Sequence, residues 1–202
     1  MSDRHVVLVL AAGGSRRLGR PKQLLTRDGE TLVRRTVRLA IESGAGQVLL
    51  VVGARREAIE AAVSGLACEI VVNADWQQGL GSSLRAAAAH ITGVDARVLI
   101  IPCDLPGLAA ADMRALVEGA QVASSGCAAT RLGDLVGMPA VVPATWFGTS
   151  VQLQAHHGFG ARLRALERTS LCIVEAAGLA FDIDTNVDVD AAVSRGWLDP
   201  GG

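Results

Sequence analysis

The chain predicts an α/β fold in which helices cover a mostly parallel, doubly wound sheet. Three observations carry that expectation. Short apolar runs alternate with helix-patterned stretches along the whole chain, the signature of repeated strand–helix units. The apolar runs show no polar alternation, as expected of strands buried on both faces. The composition is 50% hydrophobic and only 3% aromatic, with 23 glycines, which suits a sheet and helices packed at close range. Right-handed crossovers follow from such a pattern. The 202 residues contain no linker, repeat or low-complexity block, so a single domain over 1–202 is expected.

Taken in order, the run His5-Val-Val-Leu-Val-Leu10 reads as the first buried strand. A basic glycine loop follows it. Thr31 can cap a helix over 31–43, ended by Gly44 and Gly46. Residues 47–52 form a second strand, 55–64 a short helix and 69–72 a third strand. A loop over 73–81 leads into an alanine-rich helix that Ser82 or Ser83 would cap and that ends near His90. Residues 97–101 are the plainest strand, and 109–122 a helix carrying Met113, Leu116 and Val117 inward. The second half is less regular. Strands are expected at 127–130, 139–142 and 171–174, helices at 157–166 and 187–195, and a frayed tail from Leu198.

Composition excludes several function classes. A net charge of −1 offers no basic field for nucleic acid. No apolar stretch approaches the roughly 18 residues needed to span a bilayer. Asp3 and Arg4 precede an apolar run too short for a signal-peptide core. Cys68, Cys103, Cys127 and Cys172 are scattered without a C-x-x-C pair, so reduced thiols in a cytoplasmic protein are expected in place of a disulfide or zinc framework.

The chemistry is expected to begin in the loop Leu10-Ala11-Ala12-Gly13-Gly14-Ser15-Arg16-Arg17-Leu18-Gly19-Arg20-Pro21-Lys22. Glycines let backbone approach a ligand, and a turn of exposed N–H groups forms an anion-binding nest that Arg17 and Lys22 would neutralise. Spacing excludes two other phosphate loops. A P-loop needs Lys and Ser or Thr directly after its second glycine, whereas Arg20 and Pro21 follow Gly19. The dinucleotide turn G-x-G-x-x-G is absent because Gly13 and Gly14 are adjacent.

Asp104, in Pro102-Cys-Asp-Leu-Pro106, lies at the carboxyl end of a central strand, where open parallel sheets bind ligands. A carboxylate there, facing a triphosphate, suits Mg²⁺. The loop from Asn73 through Gly79 to Ser82 and Ser83 has amides, hydroxyls and flat glycine surfaces able to read a base. His156 and His157 have no partner at metal-ligand spacing and read as surface or cleft residues.

These motifs resemble those of nucleotidyltransferases that include the molybdenum cofactor cytidylyltransferases. Leu10, Ala11, Ala12, Gly13, Ser15, Arg17, Leu18, Gly19, Pro21 and Lys22 match the signature L-A-A-G-x-S-x-R-[ML]-G-x-P-K, and Pro102 to Pro106 matches P-C-D-x-P. Phe181 to Asp188 resembles a D-I-D-T-P-E-D ending, with Asn186 and Val187 where the family has Pro and Glu. Gly158-Phe-Gly-Ala-Arg162 resembles G-D-x-G-A-R shortened by one position, with Phe159 in place of the aspartate. The resemblance implies a Rossmann-like three-layer fold and transfer of CMP from CTP to the phosphate of molybdopterin. It implies catalytic roles for Arg17, Lys22 and Asp104, a metal held by Asp104 and Asp184, and an acceptor contact from Arg162. In the family the loop 73–83 chooses the nucleotide, and its G-x-x-x-S-L form is that of the cytidine branch. A guanylyltransferase, a sugar-phosphate nucleotidyltransferase and a non-catalytic cofactor chaperone serving a molybdoenzyme partner are the alternatives.

Overall fold

The computed structural model describes residues 5–91, 96–148 and 158–201. In chain order the strands are β1 (Val6–Leu10), β2 (Thr26–Arg27), β3 (Glu30–Thr31), β4 (Gln47–Val52), β5 (Glu69–Val72), β6 (Arg97–Pro102), β7 (Ala128–Leu132), β8 (Leu135–Pro143) and β9 (Cys172–Val174). The helices are α1 (Leu32–Glu42), α2 (Arg56–Ala62), α3 (Leu80–Ala88), α4 (Ala110–Val122), α5 (Thr145–Gly148), α6 (Gly160–Arg164) and α7 (Asn186–Ser194). Seven strands form one sheet in the order β5-β4-β1-β6-β8-β7-β9. It is parallel except at β8, which runs antiparallel to both neighbours.

Alternation along each strand builds the three layers. Val7, Val9, Leu50, Leu99 and Ile101 point to one face, where α1, α2 and α4 cover them. Val6, Leu8, Leu49, Val51, Val98 and Ile100 point to the other, against α3, α5 and α6. Both faces are dry, which is why these strands read as unbroken apolar runs. A third cluster, Leu18, Leu25, Leu32, Ile183, Val189, Ala192 and Leu198, binds α7 to the N-terminal loop.

Topology sets where a ligand can sit. From β1 the chain winds outward through β4 to β5, then crosses back to β6 on the other side of β1. The winding direction reverses between β1 and β6, and open α/β sheets bind ligands in the crevice at that point. Register places Leu10 level with Pro102, so the loops leaving both strands start side by side.

Several expectations change. The alanine-rich helix that follows the 73–81 loop is not capped by Ser82 or Ser83. It begins at Leu80 after Gly79, whose φ of 92° suits a residue without Cβ. A short hairpin, β2–β3, was not anticipated, although Asp28-Gly29 is a favoured hairpin turn and both residues have positive φ. The tail is not frayed at its start: Leu198 is buried, and the Asp199 carboxylate accepts the N–H groups of Asp28 and Gly29 at 2.8 and 2.9 Å. The helix expected over 157–166 is described as Gly160–Arg164, and its first residue, His157, lies outside the described residues, as does His156. Among the described residues, no helix is long and apolar enough to cross a membrane, and the four cysteines are free.

Candidate active site

Three segments far apart in sequence meet above the β1–β6 crevice. Pro21 ends the glycine loop, and a single 3-10 turn, Lys22–Leu24, follows. The turn aims Lys22 toward the β6 end. Lys22 Nζ donates to Ile183 O at 3.0 Å and to Asp184 Oδ1 at 3.2 Å, and it pairs with Asp104 Oδ2. Arg17 reaches the other oxygen of Asp184 at 2.6 Å. Lys22, Asp104, Asp184 and Arg17 are therefore brought together.

Asp104 is held from both sides. Its carbonyl accepts Ile183 N–H at 3.1 Å. Downstream, Arg27 donates to Pro106 O at 2.7 Å and Arg35 to Leu108 O at 2.6 Å, fixing the loop that leaves β6. The carboxyl group is nearly buried, and among the described residues its Oδ1 has no hydrogen-bond partner. Burial pushes its pKa up, while the Lys22 ammonium pulls against that. Burial also works against the charge on Lys22, but Asp104 and Asp184 outweigh it and hold its pKa above the ordinary value.

The glycine loop presents donors outward. The carbonyls of Ala11, Ala12 and Gly13 all have internal partners: Gln23 Nε2 at 3.0 Å, Ala54 N–H at 3.1 Å and Gln23 Nε2 at 2.6 Å. Among the described residues, the N–H groups of Ala12, Gly13, Gly14 and Ser15 meet no acceptor. Gly13 has open space where a Cβ would stand. Gly14 does not, because a Cβ there would come 2.8 Å from the Trp76 ring. Trp76 also lies against Gly53 and within cation–π range of Arg16, at 5.9 Å, so it walls the loop on its β4 side.

The loop expected to read a base ties its polar side chains to one another. Asn73 Nδ2 donates to Ser82 Oγ at 2.8 Å and Ser83 Oγ at 3.1 Å, and Asn73 Oδ1 accepts Asp75 N–H. Ser82 Oγ in turn donates to Gly79 O at 2.7 Å. All three side chains are buried and largely satisfied by one another. They shape the turn at Gly79 more than they face outward. Arg162 is not brought to the cluster. It stacks 3.9 Å from the centroid of Trp146, just beyond the end of β8 that adjoins the start of β6.

Asp188 closes a capping box with Thr185, its carboxylate accepting the N–H groups of Asp184 and Thr185. Sequence reasoning missed Gln23, which adjoins the motif lysine without belonging to the motif. It also missed Trp76. The two adjacent glycines were a usable signal for Trp76, since one of a pair often marks a close approach by another group.

Comparison with known proteins bears on the family and the fold. Residues 7–170 match the family model of the MobA-like NTP transferase domain. The chain is 41% identical over 104 residues to nicotine blue oxidoreductase of Paenarthrobacter nicotinovorans, covering 50% of each. It is 39% identical over 104 residues to a probable molybdenum cofactor guanylyltransferase of Opitutus terrae, covering 51% of this chain and 49% of that one. The chain thus spans about half the length of these curated relatives. The solved structure of Rv0371c from Mycobacterium tuberculosis superposes with a TM-score of 0.80 at 28% identity, covering 96% of this chain and all of that one. The same protein in complex with manganese superposes at 0.75 with 26% identity, covering 95% of this chain and 98% of that one. The chain belongs to the MobA-like NTP transferase domain family.

Proposed function

We propose that the chain moves a nucleoside monophosphate from a nucleoside triphosphate onto the phosphate of a small acceptor and releases pyrophosphate, with CTP and molybdopterin as the favoured pair. The convergence of Lys22 on Asp104 and Asp184, beside a loop of outward amides, is the observation that carries this reading. In-line attack on the α-phosphorus needs positioning and charge neutralisation more than covalent help. The amides of Ala12 to Ser15 would hold phosphate oxygens, and Arg17 and Lys22 would stabilise the departing pyrophosphate. All three donors of the Lys22 ammonium are engaged by Asp104, Asp184 and Ile183. An arriving triphosphate would take one of those places and free a carboxylate.

A divalent cation fits that carboxylate pair. Asp104 Oδ1 is a buried hard oxygen without a partner among the described residues. Mg²⁺ is held by one or two carboxylates plus substrate phosphates, not by a full protein cage. Among the described residues no group of three or more metal-ligating side chains forms such a cage. Asp104 and Asp184 would hold the ion, which when bound would neutralise charge at the reacting phosphates. The manganese complex of Rv0371c supports a divalent cation on this fold. The free cysteines fit a cytoplasmic location.

Gly79-Leu-Gly-Ser-Ser83-Leu84 supports CTP. The Opitutus terrae relative, named a guanylyltransferase, supports GTP as a second reading. Purified protein with Mg²⁺ and each nucleoside triphosphate, with and without molybdopterin, separates them by pyrophosphate release. Acceptor-dependent release with CTP is expected, and release with GTP alone would install the second reading. Cofactor binding without release from any nucleotide would replace both with a chaperone that hands cofactor to a molybdoenzyme.

A further inference from the structure

We propose that Gln23 is a positioning residue that aims the amides of Ala12 and Gly14 at the triphosphate, an inference that rests on the glycine loop being the triphosphate cradle. The peptide unit is planar and trans, so its C=O and the next residue's N–H point in opposite directions. Tying the carbonyl of Ala11 inward turns the amide of Ala12 outward, and tying that of Gly13 does the same for Gly14. One carboxamide nitrogen makes both ties, at 3.0 and 2.6 Å. Its oxygen accepts Ser15 Oγ–H at 3.3 Å, and Ser15 Oγ accepts Lys22 N–H at 3.1 Å. That bridge links the loop's conformation to the backbone of the lysine that meets Asp104.

The side-chain chemistry is specific. A carboxamide offers two N–H donors and one acceptor from a single planar end, whereas a carboxylate offers acceptors alone. Gln23 is 2% exposed, so water cannot stand in for it. With Gln23 silent, the carbonyls of Ala11 and Gly13 would be free to rotate toward the ligand, where their dipoles would oppose phosphate oxygens. The amide of Gly13 is set separately, through Ala12 O and Ala54, so loss of Gln23 should weaken the cradle without abolishing it.

Calorimetric titration of the full chain with CTP, CMP and cytidine, alongside Gln23→Glu and Gln23→Met, tests this. If wild type prefers GTP, the guanosine series replaces the cytidine one. The expected result is a triphosphate affinity lowered tenfold or more in both variants, with nucleoside affinity within twofold of wild type. Lowering the pH should restore part of the loss in Gln23→Glu, as the introduced carboxyl gains a donor, and none in Gln23→Met. Unchanged triphosphate affinity, or an equal loss for triphosphate and nucleoside, would overturn the proposal. Circular dichroism establishes that each variant is folded. Should neither fold, ¹⁵N NMR of the wild type decides. Triphosphate should shift the Ala12 and Gly14 amides while the Gln23 side-chain amide stays protected from exchange, and loss of that protection on binding would count against the role. A wild type that binds triphosphate but releases no pyrophosphate would defeat the transfer reading alone, because the Gln23 comparison is read from binding.

Discussion

Lys22 stands where three carboxylate or carbonyl oxygens converge, which gives opposite expectations for removing it and for removing its partner. Asp104→Ala leaves Lys22 paired to Asp184 and Ile183 O, so the fold should persist. Turnover should fall on the order of a hundredfold or more, by analogy with deleting one preorganised charge-stabilising group. Pyrophosphate release and a thermal melt on one preparation measure both. Near-normal turnover in that variant would remove Asp104 from the chemistry. Lys22→Ala leaves the buried Asp104 without its counter-charge. Breaking a buried pair in this way costs about 3–5 kcal/mol where the remaining charge persists. Burial already pushes Asp104 upward, and without Lys22 its folded pKa would lie further above the unfolded value. A group raised on folding destabilises the fold as pH climbs through that range and costs nothing below it. The deficit of Lys22→Ala against wild type should therefore grow from acid toward neutral pH, as a series of melts would show. A deficit independent of pH would mean that Asp104 does not carry it.

At the level of elements, α7 brings Asp184 to the site, and its first turn is held by the Thr185–Asp188 capping box. Thr185→Ala should cost about 1 kcal/mol, or roughly 2–4 °C in melting temperature for a chain of this size. Hydrogen bonds from the Thr185 side chain and backbone hold the Asp188 carboxyl below its ordinary 3.8. The sign is that of a depressed acid: its contribution is complete above the unfolded value and lost as pH falls through the folded one. The gap between wild type and Asp188→Ala should be open at pH 7 and close as pH drops below about 4. Elements of this kind were legible in the sequence because local chemistry decides them. Residues 47–52 and 69–72 read as strands at their observed bounds. The start of α3 was not legible. Two serines looked like caps, but Asn73 takes their hydroxyls from nine and ten residues away, and Gly79 starts the helix instead. The tail was misjudged for a similar reason. Asp199 is held by a hairpin turn some 170 residues earlier, and no local pattern announces such a contact.

Across the whole molecule, the site depends on joining the two ends of the chain. The glycine loop and Asp104 need only the β1–β6 crevice, which the alternation of apolar runs already implies. Asp184 needs the third cluster, where Leu18, Leu25 and Leu32 from the N-terminal segment pack with Ile183, Val189 and Leu198. These residues are apolar without helical or strand periodicity over most of their span, so their mutual packing could not be read from the sequence. Asp184 also lies beyond the residues 7–170 that match the family model. The sheet, by contrast, is complete by Val174. Ending the chain at residue 179 should therefore keep the central sheet and both of its dry faces. It should also uncover three leucines, remove Ile183 N–H from Asp104 O and take two of the three partners from Lys22. The expected outcome is a folded protein with near-native far-ultraviolet circular dichroism and a lower melting temperature. Triphosphate affinity should fall by at least tenfold, and pyrophosphate release should be lost. Release at the wild-type rate from that shortened chain would show that Asp104 and the glycine loop suffice, and that the C-terminal helix serves stability alone.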